Sequence, residues 1–112
     1  MTAPRLTRPL VLEAPQRVPD GAGGYAETWA ALGTLWAEVK PASGGSAAEA
    51  GAELGRLRLR ITVRAAPLGA PSRPMAGQRF RDGARAYAIR AVHEADPGAR
   101  YLRIWAEEEV AT

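Results

Sequence analysis

Arg56-Leu57-Arg58-Leu59-Arg60-Ile61-Thr62-Val63-Arg64 is the stretch that decides the fold class. Leu57, Leu59, Ile61 and Val63 share one parity; Arg56, Arg58, Arg60 and Arg64 share the other. A period of two over this length describes an extended strand and not a helix. One face is apolar enough for a core. The other carries guanidinium groups that stay charged at any physiological pH and so require water, carboxylates or phosphates. Extended as residues 56–66, the strand spans about 30 Å or more, which predicts that it projects beyond the body of the domain.

The flanking sequence repeats this signal in shorter pieces. Residues 1–9 are rich in Pro, Thr and Arg and predict an extended, flexible N-terminal arm, poorly ordered unless a partner pins it. Residues 10–18 read as a strand with Leu10, Leu12 and Ala14 on one face, and Pro15 marks an edge or an end. Asp20-Gly21-Ala22-Gly23-Gly24 is a turn signal. Residues 26–32 could form a short helix by propensity, but Trp29, Trp36 and Gly33-Thr34 favour strands, so two strands are expected next, at 25–29 and 34–40, the second ended by Pro41. The stretch 42–55 is built almost entirely of Ala, Gly, Ser and Glu, and predicts a long flexible loop with one possible helical turn at the Ser46/Glu49 capping spacing. Pro67, Pro71 and Pro74 stiffen the connection that follows. Residues 78–81 and 85–94 read as a hairpin around Asp82-Gly83. Asp96-Pro97-Gly98 turns the chain into a last strand at 100–107, where Leu102, Ile104 and Ala106 alternate with Tyr101, Arg103 and Trp105. Glu107-Glu108-Glu109 reads as a solvated acidic end, followed by a tail at 110–112.

Six or so short strands, turns between them and almost no helical periodicity predict an all-β fold: a small antiparallel β-barrel or sandwich over residues 10–109. The expected core comprises Leu57, Leu59, Ile61, Val63, Ile89, Leu102 and Ile104. With 112 residues, 46% hydrophobic and 24% charged, one domain with a real core is affordable and a disordered chain is excluded.

Composition also limits function. There is no cysteine, hence no disulfide framework and no thiolate nucleophile. His93 is the lone histidine, so a zinc site is not expected, and no cofactor or metal is implied. No Gly-x-Ser-x-Gly nucleophile motif is present, and Gly44-Gly45-Ser46 lacks the lysine of a phosphate-binding loop. The three consecutive glutamates do not converge as an acid/base pair. These readings argue against an enzyme. Leu10-Val11-Leu12 is too short for a secretory h-region and no stretch approaches a membrane span, so a soluble protein made in the cytoplasm is expected, with no membrane partner. Fourteen of the fifteen basic residues are Arg, yet the net charge is only +3, mild for a dedicated DNA-binding domain.

The layout resembles the phage head–tail joining proteins, also called head-closure or stopper proteins, whose module recurs in gene transfer agents. The residues that carry the resemblance are Asp20-Gly21 with Gly23-Gly24 and Trp29; Leu35-Trp36-Ala37-Glu38-Val39 with Pro41 and Gly44; Ile61-Thr62-Val63-Arg64; Gln78-Arg79-Phe80; Tyr87-Ala88-Ile89 with Val92; and Asp96-Pro97 leading into Leu102-Arg103-Ile104. The resemblance implies a small β-barrel that forms a homo-oligomeric ring in the particle neck, between a portal-side adaptor and a tail terminator or tail-tube protein. That ring retains packaged double-stranded DNA, lets it pass on ejection and docks the tail. The channel-side candidates are then Ser43, Gly44, Gly45, Ser46, Glu49 and Glu53. Only the two glutamates among them are large, a departure from many relatives that weakens the case for a direct plug. A ring of identical subunits needs two unlike patches on each subunit, because the contact is head-to-tail. Arg56, Arg58, Arg60 and Arg64 are candidates for one patch, and Glu107, Glu108 and Glu109 for its complement. The competing reading is a nucleic-acid-binding barrel that turns the same arginine face to phosphates.

Overall fold

The computed structural model describes residues 3–42 and 56–109; the loop candidates Ser43, Gly44, Gly45, Ser46, Glu49 and Glu53, and the tail at 110–112, lie outside the described residues. Six strands follow one another: β1 (Arg8–Pro19), β2 (Tyr25–Pro41), β3 (Arg56–Arg64), β4 (Arg79–Asp82), β5 (Arg85–Glu94) and β6 (Tyr101–Glu109), with no helix among the described residues. All pairings are antiparallel, and the order β1-β2-β3-β6-β5-β4 closes through β4 on β1. The all-β expectation holds, and the barrel is realised in preference to the sandwich.

The alternation of the arginine-rich strand does what its period requires. Leu59, Ile61 and Val63 are buried together with Ile89, Leu102 and Ile104. Leu57 differs from expectation: it sits near the end of β3 and is only half-buried. The remaining volume is filled by Leu10, Leu12, Ala37, Phe80, Tyr87 and Ala106. The expectation that β3 projects is also overturned. β6 pairs with it along its full length, from Arg56 opposite Glu109 to Arg64 opposite Tyr101.

The projecting element is instead the β1–β2 hairpin, and Gly33 explains why. Tyr25–Pro41 is one continuous strand, not two. The register steps from Leu12 opposite Gly33 to Glu13 opposite Ala31, so Leu32 is an extra residue in a β-bulge. Gly33 takes φ +147°, a conformation that disfavours a side chain. Where the sequence predicts two separate strands, one strand thus runs through a bulge that bends it. Beyond it β4 pairs with β1 only at Val11, Leu12 and Glu13, and β3 pairs with β2 only from Ala37 to Pro41. The distal halves of β1 and β2 therefore pair with each other alone. Asp20 closes their turn: its carboxylate accepts the backbone N–H of Ala22 at 2.8 Å and of Gly24 at 3.1 Å. These two bonds hold the Asp20 carboxyl below its ordinary range.

Candidate interaction surface

The outer wall of β2, β3 and β6 collects the charges that the core excludes. Across this wall Lys40 faces Arg60, which faces Trp105; Glu38 faces Thr62, which faces Arg103. One step toward the end of the barrel, Arg58 stands opposite Glu107, and beyond it Arg56 opposite Glu109. The predicted arginine face of β3 therefore exists and lies beside the outward parity of β6. At the other end of the strand the Arg64 guanidinium sits 5.9 Å from the Tyr101 ring centroid, a cation–π contact.

The glutamates at the end of β6 do not form a solvated tail. They are the last residues of a paired strand, and alternation separates them. Glu107 lies on the outer face, 3.8 Å from Arg90. Glu108 points inward at the barrel's end, where it is buried and gripped by Arg85. The same end holds Tyr87, whose hydroxyl donates to Asp82 at 3.2 Å, and Arg8, which pairs with Asp82. Burial is the main cause that pushes the Tyr87 phenol up. Continuing the Leu102-Ile104-Ala106 parity by one more step would have placed Glu108 inside.

Between the N-terminal arm and the β5–β6 turn the wall forms a cleft of about 510 Å³. Its floor includes Arg60, Thr62 and Arg103; Arg5 comes from the arm, and Lys40, Arg100, Glu38 and Asp96 stand around it. The backbone N–H of Arg5 donates to Glu38 Oε2 at 2.9 Å, which lays the arm against the wall. Lys40 Nζ lies 3.7 Å from Glu38, and Arg100 Nε is 3.1 Å from Asp96. Asp96 also accepts the backbone N–H groups of Arg100 and Tyr101. Burial works to raise its pKa, but these donors outweigh it and hold the carboxyl below its ordinary range. Arg60 and Arg103 make no ion pair among the described residues, and Arg103 Nε is buried with no acceptor.

His93 closes the neighbouring patch. The indole N–H of Trp105 donates to His93 Nε2 at 3.1 Å, which leaves Nδ1 as the donor to the Glu94 carbonyl at 2.9 Å. Both ring nitrogens are engaged, and among the described residues no carboxylate hydrogen-bonds or pairs with the imidazole. Among the described residues no three acidic or histidine side chains converge as metal ligands.

The hairpin presents a second, different surface. From Tyr25 to Trp36 the far edge of β2 has no strand beside it among the described residues. Tyr25 and Trp36 are 62% and 58% exposed on this strand, so the edge carries apolar bulk as well as free backbone groups. The opposite edge, on β1, is blunted by Pro15 and Pro19. Trp29, within the ribbon, is covered by Arg79 at 4.2 Å from its ring centroid.

A single closed barrel with a charged wall and a projecting ribbon offers surfaces for contact, and no catalytic groups converge among the described residues. Residues 1–109 match the family of the phage head completion protein, and the chain belongs to that family. It is similar to a chain from the virion of a native gene transfer agent particle, at 47% identity and TM-score 0.79, covering 98% of this chain and 100% of that one. It is also similar to a protein of Shigella flexneri 2a with a known solution structure, at 26% identity and TM-score 0.71, with both chains covered in full. No curated protein sequence matches it.

Proposed function

We propose that this chain is a structural head–tail connector of a phage or phage-like particle. In this reading its copies form a ring between a portal-side adaptor and the tail, retain packaged DNA and dock the tail. The observation that carries the proposal is membership of the head completion family over residues 1–109, joined to a 47% identical relative that is part of a gene transfer agent virion. A structural role asks for surfaces and not for a catalytic constellation, and no enzymatic activity is proposed.

Two features of the molecule support this reading. The first is a pair of unlike surfaces, the arginine wall and the exposed edge of β2, as a head-to-tail contact between identical subunits demands. The second is restraint in charge. A net charge of +3 spread over Arg and Glu neighbours does not grip a duplex tightly, and a DNA conduit must release what it holds. The contact residues on the wall are Arg56, Arg58, Arg60 and Arg64 with Glu107 and Glu109, while Glu108 serves the barrel interior. Arginine suits such a contact because its planar fork pairs with a carboxylate in a defined direction. The reading is tested by gold labelling of a tagged copy in purified particles: label at the junction of head and tail is expected, and label on capsid or tail shaft alone contradicts it.

A further inference from the structure

We propose that the cleft formed by Arg60, Arg103 and the N-terminal arm is a receptor for a carboxylate-bearing segment of a neighbouring particle protein. This inference rests on the head–tail reading and adds the site and the chemistry of its partner.

The charge inventory of the cleft points to an anion. Five basic side chains against two acidic ones line it, an excess of three, as large as the formal excess of the entire chain. The acidic pair is already engaged, Glu38 by Lys40 and the arm, and Asp96 by Arg100 and two backbone N–H groups. What remains is the exposed Arg5 side chain on the arm together with Arg60 and Arg103, which lie diagonally across the β3–β6 pair and are both half-buried. A buried guanidinium nitrogen without an acceptor, as at Arg103 Nε, is costly and is satisfied by an incoming oxygen.

The shape selects a carboxylate over duplex DNA. A concavity of about 510 Å³ accepts a few side chains and is closed to a double helix. Thr62, on the floor, adds a hydroxyl to an otherwise cationic site. The arm, tied down by one hydrogen bond from Arg5 to Glu38, is the part of the wall most easily displaced by an entering segment.

The experiment is a calorimetric titration of the full chain with a hexaglutamate peptide at low salt, repeated for Arg60→Gln/Arg103→Gln and for Arg17→Gln as a control on the distant ribbon. The wild type and the control bind the peptide alike. The double variant binds at least about tenfold more weakly, the loss of one charge-assisted bond or more. A short DNA duplex present at equal concentration does not compete. Equal binding by the double variant, no binding by the wild type, or competition by the duplex through the same two arginines overturns the proposal. In particles, the folded double variant is expected to reduce tail attachment. Normal attachment removes the cleft from the joint and leaves the head–tail reading standing, since that reading fails only if particles lacking the whole protein remain tailed.

Discussion

The guanidinium of Arg85 meets the carboxylate of Glu108 through two parallel hydrogen bonds, Nε to Oε2 and Nη2 to Oε1, each 2.6 Å long. This fork-to-fork contact fastens the start of β5 to the end of β6 and raises the pKa of Arg85 still further. The two partners are unequally placed: the Glu108 side chain is 9% exposed and that of Arg85 50%. Removing each one therefore has a different consequence. Arg85→Ala strands a nearly buried carboxylate and is expected to cost about 2–3 kcal/mol, whereas Glu108→Ala leaves a guanidinium that turns to water and costs about 1 kcal/mol. Urea unfolding of the two variants measures the difference, and an equal cost would show that the pair acts as an exposed bridge.

The core makes a simpler prediction. Ile61 is fully buried on the middle strand of the charged wall. Ile61→Ala removes packing and leaves a cavity, at an expected cost of about 2–5 kcal/mol with an unchanged denaturant slope. Arg58→Gln, on the exposed parity of the same strand, is expected to stay within about 0.5 kcal/mol of wild type.

Gly33 is predicted to be irreplaceable for a conformational reason alone. A Cβ at that position meets nothing within 4 Å, so no clash opposes it. The φ of +147° does. Gly33→Ala is expected to lower stability by about 1–3 kcal/mol through backbone strain at the bulge. A neutral result in thermal unfolding would mean that the strand bends without this glycine.

Stability should fall at both ends of the pH range. Asp20 and Asp96 have folded pKa values below the ordinary carboxylate range, through backbone donors at Asp20 and through Arg100 with backbone donors at Asp96. A depressed pKa means stability that is present above the unfolded value of about 3.9 and lost as pH drops through the folded one. Tyr87 is opposite in sign. Burial raises its pKa, so its contribution is complete below the unfolded value of about 10 and disappears as pH climbs through the folded one. Asp96→Asn is expected to flatten the acid limb of a melting-temperature profile and to leave the alkaline limb unchanged. An acid limb of unaltered slope would assign acid lability elsewhere.

The elements that declare themselves locally were legible in the sequence. Leu59, Ile61 and Val63, or Leu102 and Ile104, alternate within single strands, and alternation is a property of neighbours in the chain. Asp20 with Gly21 and Gly23 likewise turns the chain by its own hydrogen bonds and left-handed glycines. The hairpin at β4–β5 is nearly as plain, although the loop residues are Gly83 and Ala84, with Asp82 still paired to Arg85. What escaped depends on distant partners. Residues 25–29 and 34–40 read as two strands until β1 supplies the register that joins them through a bulge. The parity of Leu102, Ile104 and Ala106 carried one step further turns Glu108 inward, but that Arg85 of another strand is its partner has no signal along the chain. The cleft is the extreme case: Arg60 and Arg103 become neighbours only because β6 pairs with β3 past the two intervening strands. No spacing along the chain encodes that pairing.

The central claim is that this protein joins head to tail, and electron microscopy of particles made without it is the most direct measurement. Deletion followed by complementation with the intact chain is expected to give DNA-containing heads without tails in the first case and tailed particles in the second. Tailed, infectious or transfer-competent particles in the complete absence of the protein would contradict the account.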